Sequence, residues 1–329
     1  MSQPGRIAAA AVGVGALALA LIAQCARADE PWPAKPLRMV VPYAAGGFAD
    51  IRARKVAQDL TTALGQQVVV DNRAGAGGVI GTDFIAKAAP DGYTIGMGNL
   101  AALAVNVSLM KRLPYDPVRD IAPVVLIERS PLILTAGPGL AAGNVRELIA
   151  YAKANPGRIT FASSGVGGAH HLSGEMLRQV AGIEIVHVPY KGGAPAAADL
   201  LAGHVPIMFE MGYSALPSIT AGKIRALAVT SSQRLAILSD VPTMAEAGVP
   251  GFESYNWQGI VAPARTPTAV IDRLNREINA ILQRPDQRAS IVNTGSQVAG
   301  GTPQAFGEFI RAEIAQWARV VREAKLQPE

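Results

Sequence analysis

Cysteine is almost absent. Of 329 residues only Cys25 is one, and it lies in an apolar leading segment, so the rest of the chain has no disulfide, no thiolate nucleophile and no cysteine metal ligand. Histidine is scarce too, with four residues. His171 and Glu175 stand four apart, but there is no H-E-x-x-H and no nearby third ligand, so no metal site is expected. Charge of one sign is also lacking: 30 basic against 25 acidic residues, dispersed along the chain, give no basic patch for nucleic acid. No G-x-x-x-x-G-K-[ST] phosphate loop and no G-x-S-x-G elbow occurs. Gly75-Ala-Gly-Gly-Val-Ile80 follows a strand pattern as a dinucleotide fingerprint would, but Ile80 stands where the third glycine is needed. No cofactor is expected.

Long hydrophobic runs are missing apart from one. Arg6 precedes the uncharged stretch Ile7–Ile22, and Ala26-Arg27-Ala28 follows as an A-x-A cleavage pattern. The run is shorter than the ~20 residues a bilayer-spanning helix needs. Residues 1–28 therefore read as a signal peptide cut after Ala28, leaving an exported chain that starts at Asp29. Retention as an anchor and lipidation at Cys25 are the alternatives, the latter opposed by Gln24, where a small residue is wanted.

About 300 residues then remain, enough for two cores. Short Val/Ile/Leu strands alternate with amphipathic helices. Strands are expected at Leu37–Val41, Gln67–Val70, Thr94–Met97, Ala122–Ile127, Leu132–Ala136, Ile159–Ala162, Ile183–Val188, Ile207–Glu210, Ile224–Thr230 and Gln258–Val261. Helices are expected near Ala49–Leu64, Val79–Ala88, Asn144–Ala154, Ala169–Val180, Ala194–Ala202, Pro267–Leu282 and Pro303–Lys325. In the first helix Ile51, Val56, Leu60 and Leu64 make an apolar stripe that Gly65 ends. Regular alternation implies α/β architecture with parallel sheets covered on both faces. No Ser/Gly-rich linker divides the chain, so we expect two lobes between which the chain crosses near Glu128–Pro131 and returns near Pro250–Tyr255. That gives a first lobe of residues 29–130 and 253–329 and a second of 131–252, with a ligand cleft between them beyond the carboxyl ends of the strands.

Two segments share one design. Val40-Val-Pro-Tyr-Ala-Ala-Gly-Gly-Phe-Ala-Asp50 and Ile159-Thr-Phe-Ala-Ser-Ser-Gly-Val-Gly-Gly-Ala-His170 each run from an apolar strand through glycines into a helix. A helix N-terminus carries unpaired N–H groups and about half a positive charge, so each is a cradle for an anion. Backbone N–H groups near Gly46, Gly47, Phe48 and Ala49, and near Gly167, Gly168 and Ala169, are candidates to hold one anionic ligand from two sides.

The chain resembles the solute receptors of tripartite tricarboxylate transporters, often called the Bug family. The resemblance rests on Val41-Pro-Tyr-Ala-Ala-Gly-Gly-Phe-Ala-Asp50, Asn72-Arg-Ala-Gly-Ala-Gly-Gly78, Ala89-Pro-Asp-Gly-Tyr-Thr94, Ser163-Ser-Gly-Val-Gly, Val188-Pro-Tyr-Lys-Gly192, Asp240-Val-Pro-Thr243 and Trp257-Gln-Gly. It implies a two-lobed periplasmic binding protein fold of type II-like form and a cleft closing on a small carboxylate. It also implies delivery to membrane permease subunits and no catalysis. A periplasmic, monomeric receptor is the resulting expectation. The chain departs from the family where Phe48-Ala49 and Gly168-Ala169 replace the usual hydroxyl or small residues, which favours a ligand with an aromatic or aliphatic body.

Each remaining candidate has a plain alternative. Asp50 either meets a ligand hydroxyl or ammonium or caps its helix; Phe48 either walls the cleft or packs beneath the helix. Of the two helix-start histidines, His170 is the one expected to face the ligand. Lys191 adds charge to the second cradle or sits in solvent. Tyr43, Tyr190 and Glu210 end strands, where side chains face a cleft or a covering helix. Ser163 and Ser164, close to histidines, leave a periplasmic hydrolase of a small acid or ester as the alternative from another class. A ligand-sensing subunit for a membrane signalling partner is a third.

Overall fold

Leu37–Val41 (β1) is buried except at Arg38, and it pairs in parallel with Val68–Asn72 (β2) on one side and Thr94–Asn99 (β3) on the other. The computed structural model describes residues 32–190 and 192–323. The expected signal peptide with its cleavage site, Cys25, Lys191 and the end of the last helix lie outside the described residues.

Between β1 and β2 runs Phe48–Leu64 (α1), which turns Ala49, Ala53, Val56, Ala57, Leu60 and Leu64 inward. That set follows the spacing of three and four that one helix face requires. Ile51 falls off it, roughly 200° around the helix from Ala49, and is 56% exposed instead of buried as expected. Gly65 ends the helix in the left-handed conformation, its N–H bonding the Thr61 carbonyl. Val79–Lys87 (α2) leads into β3, and Asn106–Leu109 (α3) ends a helical segment that starts at Ala101 and was not anticipated.

Ile121–Ala136 (β4) is a single strand of 16 residues where two were expected. The crossing was expected at Glu128–Pro131, and at the end of that segment the strand changes partners. Through Pro131 it pairs antiparallel with Tyr255–Pro263 (β9) and, at Leu126–Arg129, with Gln297–Gly300 (β10). From Leu132 it pairs antiparallel with Ile207–Met211 (β7), and from Ile133 with Arg225–Val229 (β8). A proline donates no backbone hydrogen bond, so it is tolerated where one ladder gives way to the next. The second group of strands is completed by Ile159–Ser163 (β5), parallel to β7 and to Ile185–Pro189 (β6). The sheets are therefore mixed, not parallel throughout. β4 carries the chain into the second group of strands and β9 brings it back, so the two run in opposite directions and pair antiparallel.

Helices cover both groups: Val145–Ala154 (α4), Ala169–Ala181 (α5), Gly193–Ala202 (α6), Gly212–Thr220 (α7), Thr268–Gln283 (α8), Pro285–Val292 (α9) and Pro303–Glu323 (α10). Asn144 caps α4 as expected, accepting from the Glu147 N–H at 3.0 Å. One buried cluster joins Met39, Ala53, Val56, Leu60, Met97, Ile260, Leu274 and Ile278. Another joins Leu134, Phe161, Leu172, Leu177, Phe209 and Met211 to Leu103, Val105 and Leu109, and to Trp317 and Val320 of α10. A buried ion pair fixes α1 to β4, with Arg52 Nε 2.8 Å from Glu128 Oε1 and Arg52 also donating to Ser290 of α9. Such a pair adds little net stability over hydrocarbon, but removing one partner strands a buried charge.

Candidate functional site

β1 delivers the chain to a turn at Pro42–Gly47. Gly46 holds φ at +79°, a region L side chains rarely adopt, and Gly47 begins α1 in extended conformation with no side chain bonded to the first helical turn. The turn is fastened by Asp50. Its buried carboxylate accepts from the Gly46 N–H, from Arg54 Nε and from Asn72 Nδ2, each at 2.9 Å, and Asn72 also donates to the Tyr43 carbonyl at 3.0 Å. Burial pulls the Asp50 pKa up, but the bonds from Arg54, Gly46 and Asn72 outweigh it and hold the group below its ordinary value. So Asp50 and the Gly46 N–H are committed to each other. The N–H groups of Phe48, Ala49 and Asp50 remain, having no acceptor four residues back within the helix.

Phe48 does two things at once. It packs against the large buried cluster, and its ring stacks on Tyr213 of α7 at 5.2 Å and 4°. Tyr213 was not anticipated, and nothing local in the sequence marks it. The Tyr43 hydroxyl donates to Asn99 Oδ1 at 2.7 Å at the end of β3, and burial raises its pKa.

β5 delivers the second turn, and neutral groups fasten it. The buried Ser163 hydroxyl lies 2.6 Å from His187 Nε2 and 3.0 Å from the Gly165 carbonyl, and it accepts from the Gly165 N–H at 3.1 Å. The Ser164 hydroxyl lies 2.8 Å from His170 Nδ1. The Gly167 N–H donates to His171 Nδ1 at 3.1 Å, which puts the ring proton of a neutral His171 on Nε2, towards Glu175 at 3.8 Å. His171 stacks on His187 at 3.9 Å and His187 on Phe161 at 5.0 Å. Burial lowers the pKa of His170 and His187 to about 4. It lowers that of His171 to about 3, with help from His187 and Arg178. All three rings are neutral at pH 7. Gly168 begins α5 with no side-chain cap, as Gly47 begins α1, and Ala169 is buried behind it.

The other expected residues scatter. Tyr190 donates its hydroxyl to Asp199 of α6 at 2.7 Å, so it turns to the covering helix. Glu210 is 1% exposed, and its carboxyl group meets the hydroxyls of Thr135 (3.1 Å) and Ser214 (3.4 Å); burial raises its pKa against those bonds. The residues that fasten the turns, Asn72 and His187, were not among the expected site residues, nor were Asn99 and Gln258, which lies within the Trp257-Gln-Gly motif. Among the described residues no group of three or more His, Cys, Asp or Glu is placed to hold a metal ion, and no helix is long and apolar enough to cross a membrane. A surface cavity of about 300 Å³ lined by Ala86, Arg119, Asp120, Pro263 and Arg265 lies at the far end of β9, away from both turns.

Residues 52–326 match the family described as the tripartite tricarboxylate transporter family receptor. BugT of Bordetella pertussis is 43% identical over 314 residues, covering 94% of this chain and 96% of BugT. Among solved structures, an R. palustris protein with adipate superposes with a TM-score of 0.84 at 38% identity, covering 91% of this chain and all of that one. MatC from Rhodopseudomonas palustris with bound malate superposes at 0.80 and 31% identity, covering 88% of this chain and all of MatC. The periplasmic binding protein BugD superposes at 0.81 and 37% identity, covering 91% of this chain and all of BugD. These neighbours are two-lobed solute-binding receptors and not enzymes, which removes the hydrolase alternative despite the two Ser–His contacts. With two uncapped helix N-termini presented by glycine turns on an α/β frame, the chain belongs to the tripartite tricarboxylate transporter receptor family.

Proposed function

We propose that this receptor captures a small carboxylate in the cleft between its lobes, using backbone N–H groups at the starts of α1 and α5, and hands it to membrane permease subunits. One observation carries the reading: both helices begin on a glycine with no capping side chain, leaving first-turn donors for an external anion. Each charge-assisted bond contributes about 1.5–3 kcal/mol, and a micromolar complex needs about −8 kcal/mol, so a few such bonds with apolar burial suffice. The adipate and malate of the structural neighbours belong to the same chemical class. Phe48 and Ala49 favour a ligand with an aliphatic or aromatic body. Support for lobes of 29–130 with 253–329 and of 131–252 comes from β4, which changes sheet partners after Pro131, itself paired with Tyr255. The receptor acts as a periplasmic monomer, cut after Ala28.

A thermal-shift screen of mono- and dicarboxylates tests the ligand class, since an acid at ~100 times its Kd adds about 2.7 kcal/mol of stability. Calorimetry on Gly47→Val then tests the first turn. Gly47 has φ −82°, and an added Cβ meets nothing nearer than the Ala44 carbonyl oxygen at 3.5 Å, so the variant should fold and yet block the anion's approach. Binding within threefold of the unmodified protein removes this turn from the site. Loss of uptake of the same acid in cells deleted for the chain tests delivery, and an intact mass starting at Asp29 tests processing.

A further inference from the structure

Asn99 on β3, Gln258 on β9 and Glu128 on β4 stand directly opposite one another across three neighbouring strands. Opposed residues of antiparallel strands point to one face of a sheet. Two positions along, Met97 and Ile260 on that face pack with Ala49 and Ala53 of α1. The first turns of α1 therefore cover this polar row. Glu128 at one end is held by Arg52 of α1 at 2.8 and 3.1 Å, and Asn99 at the other end by the Tyr43 hydroxyl and the Ala102 N–H.

Gln258, between them, is not held. It is 1% exposed, and neither Nε2 nor Oε1 has a hydrogen-bond partner. A buried amide with both ends unsatisfied is costly, and native proteins keep very few. Here it lies on β9, one of the two strands that run at the crossing between lobes, and beneath the helix whose uncapped N-terminus favours an anion. We propose that Gln258 reads the ligand: it bonds a hydroxyl on the carbon next to the carboxylate held at the start of α1, so that the preferred ligands are 2-hydroxycarboxylates. The proposal rests on the carboxylate reading above and adds the substituent. The chemistry selects the group. A carboxylate oxygen has only lone pairs and leaves Oε1 unsatisfied, an ammonium has only protons and leaves Nε2 unsatisfied, and a hydroxyl matches both. Specificity of this sort is strong because the site's own polar groups go unpaired when the hydroxyl is missing.

Calorimetry on the exported protein with matched pairs decides it: 3-phenylpropionate against 3-phenyllactate, hexanoate against 2-hydroxyhexanoate, succinate against malate. In the unmodified protein the hydroxy acid of at least one pair is expected to bind tenfold tighter or more. Gln258→Met should bring the two members within threefold of each other while changing the unsubstituted acid less than threefold. The same variant should melt no lower than the unmodified protein, since it replaces an unpaired buried amide by a thioether; Gln258→Leu serves as a second variant. Equal affinity for both members in the unmodified protein overturns the proposal, and it is what an ordered water on the amide would give. A tenfold preference that survives in folded Gln258→Met or Gln258→Leu overturns it as well. If none of these acids binds the unmodified protein, the carboxylate reading itself fails; if they bind without regard to the hydroxyl, only this proposal does.

Discussion

The two glycine turns start their helices alike and are fastened differently. At the first, a carboxylate does the holding: Asp50 bonds Gly46, Arg54 and Asn72. At the second, neutral serines and histidines hold it: Ser163 with His187, Ser164 with His170, and Gly167 with His171. A fixed negative charge beside an anion site works against the anion, and the first turn offsets it with Arg54 at 2.9 Å from Asp50. The second turn needs no such offset, because its fasteners carry no charge at pH 7. Two positively polarised helix ends can thus be held in place without filling them. Charge and pH should separate the two.

Packing separates them first. Gly46 and Gly167 both have positive φ, at +79° and +77°. A Cβ on Gly46 would meet open space, whereas one on Gly167 would come within 2.9 Å of Leu109 Cδ1. Left-handed backbone costs a non-glycine residue about 1–2 kcal/mol, and overpacking adds about 1–3. Gly167→Val should therefore lose about 3 kcal/mol of unfolding free energy in urea and Gly46→Ala only about 1–2. Equal losses at the two sites would break the comparison.

Acid is the next discriminator. The folded pKa values of His170, His171 and His187 lie at about 3–4, below the unfolded value of 6.5. The unfolded chain therefore binds more protons as pH falls below 6.5, and the stability these rings contribute is present above 6.5 and lost on the way down to 4. Each ring contributes at most about 1.4 kcal/mol per pH unit. Glu175, facing His171 and bonded to Arg178, has a raised pKa and takes up a proton in the folded state, which partly offsets the loss above pH 4.5. For Asp50 the shift is downward from 3.8, so its contribution is present above that value and lost only below it. Urea unfolding at pH 7.5 and 5.0 should show a fall of up to about 2 kcal/mol per ring, less the Glu175 offset, and His171→Asn should make the fall shallower. Asp50→Asn should leave the slope in this window unchanged.

Asp50→Asn has a smaller effect of its own. It removes the charge from three hydrogen bonds, of which the one to Arg54 is half-exposed, so about 1–2 kcal/mol should go at pH 7. The matched change at the second turn, Ser164→Ala, removes one neutral bond to His170 and should cost about 1 kcal/mol or less. Chemical denaturation of both at pH 7 ranks them, and a larger loss from Ser164→Ala would reverse the assignment of charge to the first turn.

Both turns were legible because their signal is local: a Val/Ile-rich strand, paired glycines and a helix start within about a dozen residues. The helix end at Gly65 was equally local, since only a residue content with positive φ stops a helix that way. What fastens the turns was not legible, because Asn72, His187, Leu109 and Tyr213 come from other elements and meet the glycines only after the sheets form. β4 misled for the same reason. Residues Glu128–Pro131 read as a gap between two strands, yet the strand passes through them because each half has partners elsewhere. Alternation of strand and helix implied parallel sheets, and the antiparallel runs of β4 and β9 follow from a crossing that no local pattern records. Gln258 needed burial and hydrogen-bond accounting together, neither of which a sequence contains.

The finest test of the contrast lies at Phe48, the one residue of the first turn with no counterpart at the second, where Ala169 follows the glycine. Its ring reaches Tyr213 of α7, on the other group of strands, and stacked rings of this kind add about 0.5–1.5 kcal/mol beyond their area. Phe48→Ser should lower stability by about that amount plus the lost packing, and Tyr213→Ser should do the same. If the two residues act only on each other, the double variant should lose less than the sum of the singles by roughly the stacking energy. Ligand selectivity adds a second readout. A serine in place of the ring offers a hydroxyl and removes apolar wall, so Phe48→Ser should weaken acids with an aromatic body by about tenfold or less and relatively favour citrate-like acids. Calorimetry of benzoate-type acids, succinate, malate and citrate on both proteins reads this out. Tight citrate binding by the unmodified protein would show that the cleft is polar despite Phe48, and the ring would then be left with the clasp to Tyr213 as its role.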